Sequence, residues 1–566
     1  MLSTIRHAWN RIRTIARPFR HYDGRWWAVA MAGGILALLL LMAWLNVVIN
    51  RVGGQFWEAL DHRDSTGFTR EAFTYVGMYV VITLVQTGEY FAELRLVLML
   101  RDGLTRHLIE RYLANRTYYR LTTRPEIDNP DQRITEDVKN FTQMAISFLV
   151  ILLNAILAAV LFTGVLWRIA PRLVAAAVLV AAFGSVATVV VGRRLAGLNF
   201  LQLKKEADFR FGLIRTRENG EAIALQGSEA GEEGRLKTRL QALVDNFKHV
   251  IAVQRNVQFF TVIYGYLTPV IPLLVIAPLY FDDQVPFGDV ARSVGAFVAV
   301  VGAFSVIVSQ FQQIAQFTAG AERLGALVEV LDAEPLPEPV GKPHVAVAED
   351  GPRVEFDHLT LRTPTDEREL VTDLTFQLPP GQRLLVNGQN GAGKTALFQA
   401  IDGMWADGDG RIVRPPHGQV MFLPQKPYVA PGKLRDQLLE GAGCKPLPDE
   451  RIKALLRELR IEKVVVRAGG LDAEKDWMAV LSPGELRLLS FARLVLAQPA
   501  FAFLDVGVSG LDDFWVHTLY RTLSKTKTVY VSIGENETLR AYHDVELILA
   551  GHGAWAVNEA RQVAAG

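Results

Sequence analysis

The sequence predicts a helical membrane domain followed by an α/β domain, and three observations lead to this fold class. Six uncharged apolar stretches of 17 to 29 residues lie within the first 321 positions. A proline-rich segment follows them over residues 332–353. Beyond it, short strand-like runs alternate with helical ones, as in a parallel sheet covered by helices. With 50% hydrophobic and 21% charged residues, the chain is not a disordered one.

The six uncharged stretches predict six membrane-spanning helices. A bilayer core needs about 20 residues of α-helix, and backbone groups in lipid must find their partners within the segment. The second stretch has 17 residues and is followed by Glu89 and Glu93, so we expect its helix to continue beyond the membrane. The two carboxylates are either exposed on that extension or part of a polar cavity. The stretches are 26–50, 72–88, 140–167, 173–192, 256–281 and 293–321.

The distribution of Lys and Arg predicts the orientation of these helices. The N-terminal segment and every second connection hold 27 basic residues, whereas the alternate connections hold 6. Because cytoplasmic loops carry the excess of positive charge, we expect the N-terminus and the second domain in the cytoplasm. The long cytoplasmic connections 89–139 and 193–255 are expected to form helices that project below the membrane. Arginine outnumbers lysine 45 to 15, which suggests a bacterial inner membrane protein.

Composition divides the chain into three parts. Residues 1–331 form the predicted transmembrane domain, 332–353 a proline-rich linker, and 354–566 the α/β domain. The formal net charge of +1 gives no polybasic character, so we expect no nucleic acid partner. The single cysteine, Cys444, excludes an internal disulfide framework and a cysteine-cluster metal site.

A phosphate-binding loop begins shortly after the start of the α/β domain. The apolar run 383–387 leads into GQNGAGKT at 388–395 and then into a helical sequence. This is the strand, loop and helix context of a P-loop. The glycines let backbone N–H groups approach phosphates, Lys394 would neutralise phosphate charge, and the Thr395 hydroxyl would ligate Mg²⁺.

Two features further along the chain complete the candidate site. The apolar run 501–505 is a predicted strand that ends in Asp505, where a second Mg²⁺-organising carboxylate belongs. Upstream of it, Ser482, Pro483 and Glu485 have the spacing of an N-cap, an N1 proline and a capping-box acid, so a helix is expected to begin here. The N-terminus of a helix also attracts anions.

The order of these motifs resembles that of the ATP-binding cassette (ABC) transporters, and the resemblance covers nearly the whole chain. The P-loop, FLPQKPY with Gln425, LSPGE at 481–485, the FLD strand and the SGLD turn at 509–512 follow one another as in that family. The membrane half is similar to the SbmA/BacA and peroxisomal acyl-CoA transporter branch. That similarity is carried by YYRL at 118–121, IDNPDQRITEDV at 127–138 and RENGEAIALQGSE at 217–229.

The resemblance implies an all-α six-helix transmembrane domain followed by an α/β P-loop nucleotide-binding domain, with two such chains in the assembly. ATP and Mg²⁺ are the implied cofactors, and Gln425 would sense the nucleotide. The signature segment of each chain would close on ATP held by its partner. The implied ATP-binding residues are Gly388, Asn390, Gly391, Gly393, Lys394, Thr395 and Gln425; the signature residues are Ser482, Pro483, Gly484 and Glu485; the metal-binding residues are Thr395, Gln425 and Asp505.

Four departures from the family pattern predict very slow hydrolysis and no intact catalytic group. Val506 stands where a water-polarising glutamate is usual, and Glu535 stands where a histidine meets the γ-phosphate. An anion at position 535 should repel phosphate unless it is protonated or turned away. Thr363 replaces an adenine-stacking aromatic residue, and Pro483 replaces a glycine whose N–H would bind phosphate. Alternatively, Glu535 restores catalysis by placing its carboxylate near the γ-phosphate.

Several functions and assemblies agree with these features. The leading hypothesis is a transporter subunit that binds MgATP and moves peptides, peptide-like or other amphipathic or hydrophilic solutes across the inner membrane. The branch resemblance favours a homodimer, whereas the impaired site favours a heterodimer with a catalytically intact partner. A membrane-anchored ATP-binding sensor or resistance protein is the alternative outside transport. Corrinoid-type molecules and fatty acyl-CoA esters are further substrates that the branch implies.

Overall fold

The chain folds into two compact units, Met1–Pro337 and Glu338–Gly566, in a computed structural model. The structure describes residues 10–22, 24–122, 127–332, 344–364, 366–439, 447–505, 513–535 and 537–559. Cys444, Val506 and the SGLD turn at 509–512 lie outside these residues.

The first unit is built from long helices. Five of its described segments are long and apolar enough to cross a membrane, namely 25–61, 130–169, 171–218, 229–281 and 287–306. Five of the six predicted stretches overlap these segments, and the exception is 72–88. The stretch 293–321 begins in the last of these segments and continues through a turn at Gln310 into a separate helix. The described α-helices are Arg25–Asp61, Ser65–Leu113, Thr117–Thr122, Pro130–Gln132, Val138–Ile169, Pro171–Glu218, Gly220–Gln226, Glu229–Leu267, Val270–Phe281, Phe287–Ser309 and Phe311–Asp332.

The helix Ser65–Leu113 contains the second predicted stretch and continues well past it. Its 49 residues correspond to about 74 Å at 1.5 Å per residue, more than twice the hydrocarbon thickness of a bilayer. Of the two alternatives for the carboxylates of this helix, exposure on its extension is not observed. Glu89 is 8% exposed and Glu93 is half-buried. Since positions four apart share a helix face, both glutamates point at one neighbour, where Asn154 bonds Glu89 and Ser147 bonds Glu93.

The two long connections 89–139 and 193–255 are largely helical over the residues that the structure describes, as predicted. The helices Pro171–Glu218 and Glu229–Leu267 pack against each other along much of their length. Asn246 fixes their register, because its side-chain amide donates to the Leu198 carbonyl at 3.1 Å and to the Gln202 side chain at 2.8 Å. These buried amides give a polar anchor within the contact.

The segment 127–138, which carries part of the branch similarity, is part of an ionic cluster at the end of the first unit. The backbone over Arg133–Asp137 forms a π-helical turn that directs both side chains inward. Asp137 binds Arg323 of the helix Phe311–Asp332 through two hydrogen bonds of 2.7 and 2.9 Å. Arg133 donates to the Arg323 carbonyl at 2.9 Å and to Asp128. The motif therefore ties the last helix of this unit to the start of the helix Val138–Ile169.

The second unit contains a six-stranded sheet with the order β12-β11-β4-β10-β9-β6 and a four-stranded sheet with the order β1-β5-β2-β3. The six-stranded sheet is parallel except for its edge strand β12. The strands are β1 Ala346–Glu349, β2 Glu355–Arg362, β3 Glu369–Gln377, β4 Leu384–Gly388, β5 Gly408–Arg414, β6 Val420–Leu423, β7 Gly432–Lys433, β8 Glu474–Lys475, β9 Phe501–Asp505, β10 Val529–Ile533, β11 Val545–Gly551 and β12 Ala554–Glu559.

Helices cover the six-stranded sheet, and the four-stranded sheet includes a strand within the segment predicted as a linker. The helices are Lys394–Asp402, Leu434–Leu439, Asp449–Glu458, Glu462–Ala468, Trp477–Val480, Pro483–Ala497 and Asp513–Leu523. Strand β1 lies inside the predicted linker 332–353 and pairs in parallel with β5. Residues Ala346–Glu349 complete a sheet edge, and the proline content of the neighbouring segment hid this short strand.

Candidate nucleotide-binding site

Four adjacent parallel strands bring the predicted site residues to one edge of the large sheet. In the order β4, β10, β9 and β6, each strand ends at the same side, because all four run in the same direction. The P-loop follows β4, Glu535 follows β10, Asp505 ends β9, and Gln425 follows β6. Ligands of open parallel sheets bind beyond the carboxyl ends of the strands.

The P-loop adopts a conformation that its glycines permit. Gly391 and Gly393 have φ of +84° and +100°, in the left-handed region that favours glycine. At Gly388 a Cβ would clash with the carbonyl oxygen of Leu549 on the neighbouring strand β11. Gly393 is the N-cap of the nine-residue helix Lys394–Asp402, so the free N–H groups of that helix face the loop. Thr395 in its first turn is exposed.

Lys394 is held by three oxygen atoms from this chain. Its ammonium donates to the carbonyls of Gly388 and Gln389, and it forms an ion pair with the Glu535 carboxylate at 2.5 Å. The side chains of Lys394 and Glu535 are 11% and 26% exposed. The sequence predicted that Glu535 would repel phosphate unless protonated or turned away; instead, the carboxylate is turned onto the P-loop lysine.

The other side of the site is formed by Asp505 and the segment after β6. Asp505 and Gln425 line one small cavity together with Arg487. The Arg487 guanidinium donates to the Gln425 carbonyl at 3.3 Å, which links this segment to the helix Pro483–Ala497. Oxygen ligands of this type, together with the Thr395 hydroxyl, suit Mg²⁺.

Comparisons with known proteins identify the family. The family described as ABC transporter transmembrane region 2 matches residues 24–281, and the family described as ABC transporter matches residues 371–506. An uncharacterized ABC transporter ATP-binding protein of Synechocystis is 35% identical over 94% of this chain and 82% of its own length. The chain belongs to the ABC transporter family. It is a half-transporter, with the transmembrane region fused to one ATP-binding cassette in a single membrane protein.

Relatives of this transporter carry more specific names. ABC transporter D family member 2, chloroplastic, of Arabidopsis thaliana is 32% identical over 96% of this chain and 86% of its own length. The lysosomal cobalamin transporter ABCD4 of Homo sapiens is 30% identical over 94% of this chain and 93% of its own length. The chain is thus homologous to D-family half-transporters along both its membrane and cassette parts.

The signature segment of the transporter begins a helix as predicted. Ser482 is the N-cap of Pro483–Ala497, Pro483 is its first residue, and both hydrogen bonds of a capping box join Ser482 and Glu485. Hydrogen bonding by the Ser482 backbone N–H lowers the pKa of the Glu485 carboxyl, and Arg467 at 2.8 Å adds to this effect. Gly484 follows Pro483 in the first turn, where Pro483 provides no N–H.

A buried polar cluster supports the strand that carries Glu535. In β10, the Ser532 hydroxyl receives the Tyr520 hydroxyl hydrogen at 2.7 Å and lies 2.9 Å from Nε2 of His543. Burial is the main cause that lowers the pKa of His543 to about 4. His543 is thus a neutral packing residue. It supports the sheet behind the site.

Two contacts of the site were not predicted from the sequence. The first is the Lys394 and Glu535 ion pair, and its only signal was the acidic residue two positions after β10. The second is Asn387, which receives the Gly388 N–H at 2.8 Å and donates to the buried Glu546.

Thr363 lies in the turn after β2, where its hydroxyl accepts the Arg368 N–H at 2.9 Å, so it is part of that turn.

Proposed function

We propose that this ABC half-transporter moves peptide-like or other amphipathic or hydrophilic solutes across a bacterial inner membrane, and that its own nucleotide site hydrolyses ATP very slowly. The observation that carries the second part is the Glu535 carboxylate on the P-loop lysine. Val506 adds to it, because valine cannot accept a proton from an attacking water. Removal of a general base typically lowers the rate by about 10²- to 10⁴-fold.

The membrane half is proposed to cross the bilayer six times. The sixth crossing is assigned to Ser65–Leu113, whose portion 72–88 is uncharged although the rest of the helix carries charged residues. Its aromatic and aliphatic side chains, such as Phe73, Val76 and Leu84, are 76%, 61% and 69% exposed, as expected of a lipid-facing surface. The excess of basic residues in every second connection supports a cytoplasmic N-terminus and cassette.

The residues proposed to hold MgATP are those gathered at the carboxyl edge of the sheet. The P-loop residues 388–395 would bind the phosphates, with backbone N–H groups and the helix N-terminus facing them. Thr395, Asp505 and Gln425 would hold Mg²⁺, which supplies charge neutralisation for the phosphates. This chain's own groups orient the ligand, and Lys394 contributes only after it leaves Glu535.

Two chains are proposed to assemble, with the signature segment of each completing the nucleotide site of the other. The homodimer is the preferred assembly, because the resemblance of the membrane half to the SbmA/BacA and acyl-CoA transporter branch favours it. A heterodimer with a catalytically intact half is the alternative, and the impaired site supports it. For the solute, the relative named as a cobalamin transporter supports a large hydrophilic molecule, so cobalamin is a suitable first probe.

The experiment uses the purified full chain in proteoliposomes. Nucleotide binding, ATPase activity, oligomeric mass and uptake of labelled cobalamin or a labelled peptide are measured on one preparation. We expect a dimer that binds MgATP, turns it over very slowly and moves solute. Brisk turnover that is abolished by Lys394→Ala would contradict the impaired site, whereas binding without movement of either solute would favour the non-transporting sensor.

A further inference from the structure

The ammonium of Lys394 has no hydrogen left for a ligand in the described structure. A lysine ammonium has three donors, and here they are directed at the carbonyl oxygens of Gly388 and Gln389 and at the carboxylate of Glu535. The two carbonyls belong to the loop itself and are neutral. Glu535 is the only anion of the three, and it comes from a different strand, 141 positions away in sequence.

The position of Glu535 is fixed by the sheet. Strand β10 pairs with β4 so that Ile533 lies beside Val386, and the Gly534 N–H donates to the Val386 carbonyl at 3.1 Å. The ladder of hydrogen bonds thus extends to the residue before Glu535. The carboxylate therefore reaches Lys394 from a backbone that cannot retreat without breaking the pairing of two central strands.

A terminal phosphate that binds Lys394 must take the place of this carboxylate. The P-loop lysine ordinarily contacts the β- and γ-phosphates, and the partly buried setting screens the two charges less than open solvent would. A nucleoside diphosphate brings less negative charge to the end of the loop beside Glu535. A triphosphate must both displace the carboxylate and place an additional anionic group next to it.

We propose that Glu535 is a specificity-determining residue that competes with the terminal phosphate for Lys394 and lowers the preference of this site for nucleoside triphosphates over diphosphates. The proposal rests on the proposed nucleotide binding at the P-loop. A nucleotide-free chain keeps Lys394 neutralised by its own carboxylate. The site then responds to the charge at the end of the phosphate chain, independently of any hydrolysis.

The test compares Glu535→Gln with the natural chain. Glutamine keeps nearly the same shape but removes the charge. The matched control is Glu537→Gln, because Glu537 lies two positions further on, is 90% exposed and is 3.9 Å from Arg540 at its nearest. Dissociation constants for MgADP and for a non-hydrolysable β,γ-imido analogue of MgATP are measured by calorimetry on full-length protein in nanodiscs. Glu535→Ala serves as a second charge-removing variant.

A charge-assisted hydrogen bond corresponds to about 10- to 100-fold in an equilibrium constant. We therefore expect Glu535→Gln to raise the ratio of triphosphate to diphosphate affinity by about 10-fold or more, with retained MgADP binding as the sign of an intact fold. Glu537→Gln should leave the ratio unchanged. An unchanged ratio in both Glu535 variants, or weaker triphosphate binding, overturns the inference alone. Absence of binding of either nucleotide to the natural chain and to Glu537→Gln overturns the proposed function as well.

Discussion

The ionic cluster that joins Asp137 to Arg323 predicts different losses of stability for substitutions of its two partners. The Asp137 side chain is 5% exposed, whereas that of Arg323 is 55% exposed. We therefore consider Arg323→Leu, Asp137→Asn and the double variant. All three break the charged pair, whose hydrogen bonds are 2.7 and 2.9 Å long, yet they leave different groups behind.

The burial of the partner that remains determines how much each variant lowers the free energy of unfolding. Arg323→Leu leaves a buried carboxylate without its cation, and such a loss destabilises by about 3–5 kcal/mol. Asp137→Asn leaves an arginine that can turn to water, so only the net value of charged hydrogen bonds is lost, about 1–3 kcal/mol. The double variant buries no charge and is expected to lie closer to Asp137→Asn than to Arg323→Leu.

The assay is thermal unfolding of the purified chain in one detergent, followed by the fluorescence of its tryptophans and by loss of the monodisperse species. The control is the exposed helix pair Asp102 and Arg106, with 45% and 72% exposure, where neutralisation should leave the unfolding midpoint nearly unchanged. If Asp137→Asn lowers the midpoint as much as Arg323→Leu, or if the two losses simply add, the burial argument is wrong.

Three further predictions concern the cassette. The pKa of His543 is lowered to about 4 from 6.5 by burial, with Arg383, Asp544 and Glu546 nearby. In this pH range His543 therefore binds a proton in the unfolded chain but not in the folded chain. The free energy of unfolding should fall by up to about 3 kcal/mol as pH drops from about 6.5 to 4. Denaturation of the natural chain and of His543→Gln at several pH values checks this, and an equal pH dependence of the two would count against it. Val506→Glu should raise ATPase turnover by about 10²-fold if the missing base limits it, as measured by phosphate release; no gain would mean that another step limits the rate. Ser482→Ala should destabilise the cassette by about 1 kcal/mol through loss of the cap, as measured by chemical denaturation; a loss of less than about 0.3 kcal/mol would refute the role of the cap.

Local patterns in the sequence predicted those parts of the fold that depend on neighbouring residues. The P-loop strand and helix, the strand ending in Asp505 and the capping box at Ser482 all follow from short-range rules of turn, cap and periodicity. The helix Ser65–Leu113 was also expected to continue beyond its apolar part. Strand β1 was not predicted, because a run of four residues at a sheet edge is too short to be recognised from its pattern.

Contacts between distant residues could not be predicted in the same way. Glu89 was expected to be either solvent-exposed or in a polar cavity, and the outcome depended on Asn154, 65 positions away on a neighbouring helix. The ion pair of Lys394 and Glu535 spans 141 positions and requires that β4 and β10 be adjacent. Helical and strand periods predict which residues share a face, but the partner across that face depends on strand order and helix packing.

The location of the departures from the family pattern offers a way to distinguish the two assemblies. Glu535 lies beside the P-loop of its own chain, whereas Pro483 begins the helix that is proposed to face the nucleotide of the partner. In a homodimer every nucleotide site contains Glu535 of one chain and Pro483 of the other. Glu535→Gln and Pro483→Gly should therefore both change the binding of the same nucleotide. In a heterodimer they fall on different sites and should act independently, since distant substitutions usually add. Triphosphate binding by the assembled protein is measured for both single variants and for the double variant. A coupling that exceeds about 0.5 kcal/mol supports the homodimer, and strict additivity with an intact dimer contradicts it.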